Sequence, residues 1–77
     1  MWAALFFMIG GLAMVKINGE DVNANGMKLT DYLQTAGYDN KFIAVEINEE
    51  IISKSRYAET ILKDGDVVEV VNFVGGG

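Results

Sequence analysis

The residues with the clearest chemical potential in this sequence are the last three, Gly75, Gly76 and Gly77, which lie just after a β-branched run. Glycine has no Cβ, so another backbone can approach closely and the acyl carbon of Gly77 is unhindered towards a nucleophile. The run Val67–Val71 is typical of a strand. We therefore expect a strand to hold one end of a thin tail, 75–77, whose terminal carboxylate enters a partner's narrow active site.

Composition argues against catalysis by this chain itself. Its 77 residues make one small domain. The sequence contains no cysteine and no histidine, which removes the usual nucleophile, the usual general base at neutral pH and most zinc ligands. We therefore predict a protein that is not an enzyme, with no catalytic residue, no bound cofactor and no metal site of its own.

The charge balance indicates the kind of partner. The formal net charge is −5 and the six basic residues are scattered. Without a basic stripe to neutralise phosphates, nucleic-acid binding is disfavoured. An acidic surface favours a protein partner with a basic patch. The alternative is that the excess acid only keeps a small domain in solution.

Two aspartates offer the one pattern that resembles a metal site. Asp64 and Asp66 flank Gly65 and look like a fragment of a calcium-binding loop. The remaining ligands and the distal glutamate of a twelve-residue calcium loop do not follow. We predict that Asp64-Gly65-Asp66 is a tight turn into the final strand.

The first thirteen residues differ from the rest of the chain, because residues 1–13 carry no charge. They are too short for a membrane span, which needs about 20 apolar residues, and they lack the basic start of a secretory signal. We predict a domain over 14–77 that begins at Met14, preceded by an apolar extension whose role stays open. An added edge strand or a patch for self-association are the alternatives.

The periodicity of the first half predicts a hairpin and a helix. Val15 and Ile17 alternate with a polar residue, and the following Asn18-Gly19 is typical of a hairpin turn. Leu29–Gly37 is predicted to be a short helix, with Gly37 in the left-handed position after its last turn. Its N-terminus is predicted to be capped by Thr30 or Asp31, and its core-facing residues are predicted to be Leu29, Tyr32, Leu33 and Ala36.

The second half predicts three more strands. Phe42–Ile47 alternates as a strand, residues 48–50 form a turn, and Ile51-Ile52 is a short strand. Residues 53–60 are irregular with a 3₁₀ turn, after which Ile61 and Leu62 are predicted to return to the core. The order β-β-α-β-β-β predicts an α+β roll with the final strand central, beside the first.

The final strand also predicts a contact surface. Val67, Glu69, Val71 and Phe73 share one face by alternation, and Glu69 indicates that this face is the wetter one. We predict that Val71 and Phe73, with the following Val74, dock a partner beside the tail. The alternative is that Phe73 closes the core.

Four segments give the chain a resemblance to a known family. The chain resembles the ThiS family, the sulfur carrier proteins of thiamin biosynthesis, over residues 14–77. The segments that carry the resemblance are Val45-Glu46-Ile47-Asn48, Glu50-Ile51-Ile52, Lys63-Asp64-Gly65-Asp66 and Phe73-Val74-Gly75-Gly76-Gly77. The resemblance implies a ubiquitin-like β-grasp fold, with one short helix packed on a mixed sheet of four to five strands. Residues 1–13 depart from the family pattern.

The resemblance also implies a mechanism. In this family a ThiF-like adenylating enzyme uses ATP and Mg²⁺ to convert the C-terminal glycine, here Gly77, into an acyl-adenylate. A sulfur donor protein then replaces AMP to leave a thiocarboxylate, which is delivered to a ThiG-like thiazole synthase in the cytoplasm. A cysteine-free chain can carry sulfur in this way. Two alternatives stay open: the small subunit of molybdopterin synthase, and a β-grasp interaction module with an unreactive tail.

Overall fold

The computed structural model describes residues 14–73 of the chain. The predictions made for residues 1–13 and for Val74 and the glycine tail lie outside this range. Within it, five strands form one sheet, accompanied by one α-helix and two 3₁₀ helices. Their bounds are β1 Val15–Ile17, β2 Glu20–Val22, α1 Leu29–Thr35, 3₁₀ Asn40–Phe42, β3 Ile43–Ile47, β4 Glu50–Ile52, 3₁₀ Lys54–Glu59 and β5 Val67–Asn72. No helix between residues 14 and 73 is long and apolar enough to cross a membrane.

The sheet is mixed, with β5 at its centre. The strand order is β2-β1-β5-β3-β4. β5 runs parallel to β1 and antiparallel to β3, whereas β1–β2 and β3–β4 are antiparallel hairpins. This topology confirms the predicted α+β roll, the order β-β-α-β-β-β and the position of the final strand beside the first.

The core lies between one face of the sheet and α1. Alternate strand residues point inwards, and Leu29 and Leu33 of α1 are buried against them. Tyr57 and Leu62, which follow β4 in the chain, are buried in the same core. The buried sheet residues, each 9% exposed or less, are Val15, Ile17, Ile43, Val45, Ile47, Val68 and Val70.

The start of α1 differs from the prediction. Lys28 occupies the N-cap position and no side chain caps the helix, so the predicted cap at Thr30 or Asp31 is wrong. Instead, the Leu29 amide donates to the Thr60 carbonyl over 2.7 Å. A neighbouring segment of the fold thus satisfies one of the four amides that the first turn leaves without a partner inside the helix.

The end of α1 confirms the role of Gly37. Gly37 has φ +86°, its amide donates to Gln34, and the Tyr38 amide donates to Leu33. These two bonds form a Schellman motif, which requires a left-handed residue at this position. Ala36 is exposed, not in the core as predicted, because the helix ends at Thr35 and the chain turns away there. Tyr32 is half-buried against the core.

Three predictions between residues 42 and 61 need correction. Phe42 ends a 3₁₀ helix and does not begin the strand. Glu50 belongs to β4 and not to the turn, because two left-handed residues, Asn48 and Glu49, complete the hairpin. Ile61 is 44% exposed whereas Leu62 is buried, because neighbours in extended backbone point to opposite sides.

Two turn asparagines hold β5 from both sides. Asn18 follows β1, and its Oδ1 accepts the Val70 amide over 2.8 Å. Asn48 follows β3, and its Oδ1 accepts the Val67 amide over 3.0 Å. Both asparagines have positive φ, near +50°. Each asparagine therefore shapes its hairpin turn and also bonds the central strand, which extends the ladder beyond the ends of β1 and β3.

We expect Asn18→Gly to lower the free energy of unfolding by about 1–3 kcal/mol, because it leaves the buried Val70 amide without its acceptor. Glycine tolerates the positive φ of this turn, so the change tests the side-chain bond and not the turn. Urea unfolding measures the loss. Asn23→Gly, at an exposed loop position, controls for the entropy of an added glycine. Equal losses of unfolding free energy in the two variants would contradict a stabilising role for the bond between Asn18 and Val70.

Candidate functional site

The predicted site consists of the glycine tail and the docking residues beside it. Of these residues, Val71 and Phe73 are described by the structure, whereas Val74, Gly75, Gly76 and Gly77 lie beyond the described range. The structure therefore defines the surface from which the tail leaves. Two parts of that surface matter: the tail exit around Phe73, and the face of the sheet opposite the core, called here the outer face.

The tail exit is built around the last described residue. The Phe73 amide donates to the Phe42 carbonyl over 2.8 Å, which continues the β5–β3 ladder past the end of β5. The Lys54 ammonium lies 5.9 Å from the centroid of the Phe73 ring and donates to the Ile43 carbonyl over 2.8 Å. This distance falls within the range of a cation–π contact. Phe73 is thus held in place while 48% of it stays exposed, which favours the predicted surface position over a place in the core.

The outer face presents apolar side chains next to the tail exit. Val67 and Val71 are 47% and 57% exposed, whereas Val68 and Val70 point into the core. This alternation confirms the predicted division of β5 into two faces. Two other strands add Ala44 and Ile51 to the same face.

Ile51 is a surface residue that the sequence reasoning missed. It is 74% exposed and pairs across the β3–β4 hairpin with Glu46. Its neighbour Ile52 is half-buried against the core. Alternation within the segment Ile51-Ile52 already implied that one of the two isoleucines faces outwards. Alternation alone does not tell which of the two it is, because that depends on the register of the β3–β4 hairpin.

Carboxylates lie among these apolar side chains. Glu46 and Glu69 are directly opposite each other in the β3–β5 register, an arrangement of like charges that costs stability. Together with Glu49, they line an open groove of about 340 Å³ that also includes Asn48 and Val67. The outer face is therefore apolar with acidic groups among its residues, which complements a partner that has an apolar centre and basic residues around it.

The turn before β5 is a structural feature. Asp66 is 7% exposed, and its two carboxylate oxygens accept from the Lys63 amide over 2.9 Å and from Asn48 Nδ2 over 3.0 Å. Gly65 has φ +91°. These contacts confirm the predicted tight turn, and they use the Asp66 oxygens to fix the entry into the central strand.

Two tyrosines have shifted pKa values, and neither shift produces a reactive group. Burial raises the pKa of Tyr57 above its ordinary value of 10.0. Burial, with smaller effects from the nearby Tyr38 and Glu20, does the same for the pKa of Tyr32. Both hydroxyls therefore stay protonated at neutral pH, where neither acts as a base. Neither tyrosine therefore adds a reactive group to the described surface.

The chain is similar in sequence and in structure to proteins of one known family. The sequence profile described as the ThiS family matches residues 14–77. The chain is 46% identical over 66 residues to the sulfur carrier protein ThiS of Bacillus subtilis, an alignment that covers 83% of this chain and all of that protein. It superposes on the crystal structure of the thiamine biosynthesis protein ThiS from Geobacter metallireducens with a TM-score of 0.68 and 29% identity, covering 83% of this chain and 99% of that one.

One relative is a much larger protein. The chain is 45% identical over 62 residues to a thiazole synthase of Paramagnetospirillum magneticum. This alignment covers 79% of the chain but spans only 19% of the thiazole synthase. In that protein, a segment similar to this chain therefore belongs to the same polypeptide as the rest of the thiazole synthase.

Proposed function

The chain belongs to the ThiS family, the sulfur carrier proteins of thiamin biosynthesis, and we propose that the carboxylate of Gly77 is the group that carries the sulfur. The observation that carries this proposal is the family match, which runs through Gly77. The fold supports it, because β5 leads through a fixed, half-exposed Phe73 towards the tail. In this proposal, partner enzymes bind the body of the domain, and the tail carries the group that reacts.

The carboxylate must be activated because it is a poor electrophile. An adenylating enzyme that uses ATP and Mg²⁺ transfers AMP to the Gly77 carboxylate and releases pyrophosphate. Sulfur at the sulfide level, supplied by a donor protein, then forms a bond to the acyl carbon while the bond to AMP breaks. The product is a thiocarboxylate, a good nucleophile at neutral pH. This chain is then a co-substrate of those enzymes, and the ATP-dependent step is consistent with the predicted cytoplasmic location.

We propose that Val71, Phe73 and Val74 form the docking surface that guides the tail, with Ile51 as a further contact. The described members are apolar and exposed, and Phe73 is held by backbone and ring contacts. A fixed, exposed aromatic is a suitable anchor because it loses little conformational entropy on binding. Glu46 and Glu69 on the same face favour a partner with basic residues opposite them.

The acceptor that we propose is a thiazole synthase. The larger relative described above supports this choice, because it joins a similar segment to a thiazole synthase in one polypeptide. The small subunit of molybdopterin synthase, a similar carrier with a different acceptor, stays an alternative. An unreactive interaction module is the remaining alternative, and it differs in that its mass would not change on incubation with the adenylating enzyme and the sulfur donor.

Reconstitution tests the proposal. The purified chain is incubated with a ThiF-like adenylating enzyme, ATP, Mg²⁺ and a sulfur donor protein, and its intact mass is measured. We expect a gain equal to the mass difference between a sulfur and an oxygen atom. A semisynthetic chain that ends in the carboxamide of Gly77 is the control, because it has no carboxylate to activate. An unchanged mass of the free-acid chain with several adenylating enzymes would favour the unreactive module.

A further inference from the structure

The hydrogen bonds of β5 alternate between its two neighbours. Odd-numbered residues bond towards β3, as the Phe73 amide does to Phe42 and as the Val67 carbonyl does to Asn48. Even-numbered residues bond towards β1: the Val68 carbonyl accepts from the Asn18 amide over 2.9 Å. The backbone groups of each β5 residue therefore belong to one side of the strand.

The two neighbours of β5 end at different positions. On the β3 side, pairing continues to Phe73. On the β1 side, regular pairing ends at Ile17, opposite Val68, and the Asn18 side chain adds one more position by bonding Val70. Asn72 is the next even-numbered residue. Within residues 14–73, no group bonds its amide or its carbonyl.

This open segment of β5 differs in charge from the outer strands of the sheet. Natural edges are short or carry charges that discourage pairing with another chain. β2 and β4, the outer strands of this sheet, have three residues each and include Glu20, Asp21 and Glu50. Asn72, in contrast, is exposed and uncharged, and its neighbours Val71 and Phe73 are apolar.

We propose that the open β1-side edge of β5 at Asn72 accepts an extended segment of the thiazole synthase, which adds a strand to the sheet beside the tail. This inference rests on the proposed function. Added strands bind through main-chain hydrogen bonds, and side chains on either side supply specificity. Here Val71 and Phe73 flank the open position on the outer face. In the relative from Paramagnetospirillum magneticum, a segment similar to this chain is part of a thiazole synthase, which supports that enzyme as the occupant.

The added strand also affects the direction of the tail. Asn72 lies close to Gly77 in the sequence, and an extended chain advances about 3.3–3.6 Å per residue. A partner strand paired at Asn72 therefore sets the direction in which the thiocarboxylate enters the active site. The docking surface alone fixes the body of the domain, whereas the added strand fixes the beginning of the tail.

A proline variant tests the edge. Asn72→Pro removes the Asn72 amide proton, which no described group uses, and it requires an extended residue before it, which Val71 already is. Asn72→Ala removes the same side chain and keeps the proton. We expect the proline variant to bind thiazole synthase about tenfold more weakly than the alanine variant, with the same thermal midpoint. Equal binding by the two variants would overturn the strand addition.

Two further readouts separate the possible failures. Thiocarboxylate formation on the wild-type chain is measured by intact mass, so that a failure of the proposed function is seen independently of the edge. If the proline variant loses reaction with the adenylating enzyme but keeps its affinity for thiazole synthase, the assignment of the occupant is overturned.

Hydrogen exchange of the wild-type chain decides the case in which the proline variant does not fold. We expect the Asn72 amide to exchange rapidly in the free chain and at least about tenfold more slowly in the complex with thiazole synthase. The Val71 amide faces β3 in the ladder and serves as the internal reference. An Asn72 amide that exchanges equally fast in both states would overturn the proposal.

Discussion

Replacing Gly76 with valine is expected to reduce the rate of thiocarboxylate formation at Gly77 by at least about 100-fold, because small displacements of a reacting group can cost that much. The physical reason is the missing Cβ: a branched side chain next to the reacting carbonyl widens the tail and restricts its backbone. The thermal midpoint should not change if the tail acts only as the reacting end. Intact mass spectrometry over time gives the rate.

Two companion variants make this result interpretable. Gly76→Ala adds a single methyl group and should give an intermediate rate, which shows that size is the cause. Thr35→Val places the same valine at an exposed position at the end of α1 and should react like the wild type. A Gly76→Val chain that reacts at the normal rate would contradict a narrow channel, and one that no longer folds would show that the tail is structural.

The largest expected loss of stability comes from Ile43→Ala. Ile43 is fully buried at the start of β3, and removing a buried isoleucine side chain costs about 2–5 kcal/mol. Small domains are stable by only about 5–15 kcal/mol, so the variant should unfold at a much lower urea concentration. Equilibrium unfolding followed by circular dichroism measures the midpoint and the slope.

Ile51→Ala is the matched control, because it makes the same change on the other side of the sheet. Ile51 is 74% exposed, so its loss should alter the free energy of unfolding by no more than about 0.5 kcal/mol. If the outer face docks the partner, the affinity of this variant for thiazole synthase should nevertheless be several-fold lower than that of the wild-type chain. Ile43→Ala should therefore lose stability, whereas Ile51→Ala should lose affinity for the partner. Wild-type affinity of Ile51→Ala would remove Ile51 from the docking surface.

The sequence determined those features that depend on near neighbours. The Asn18-Gly19 turn and the Gly37 cap follow from the backbone angles that those residues allow, and the structure shows both. The two faces of β5 follow from alternation alone. The absence of cysteine and histidine limited the chemistry before any fold was known, and the glycine tail stays a sequence prediction, because residues 74–77 lie outside the described range.

Only the tertiary structure decided the features that depend on residues distant in the chain. The Leu29 amide finds its acceptor in Thr60, and Ile51 joins the outer face because register places it opposite Glu46. The open edge at Asn72 exists because β1 ends before β5 does. Local patterns fix the conformation of a segment, but the neighbours that satisfy, bury or leave open its groups are set by packing between segments far apart in sequence.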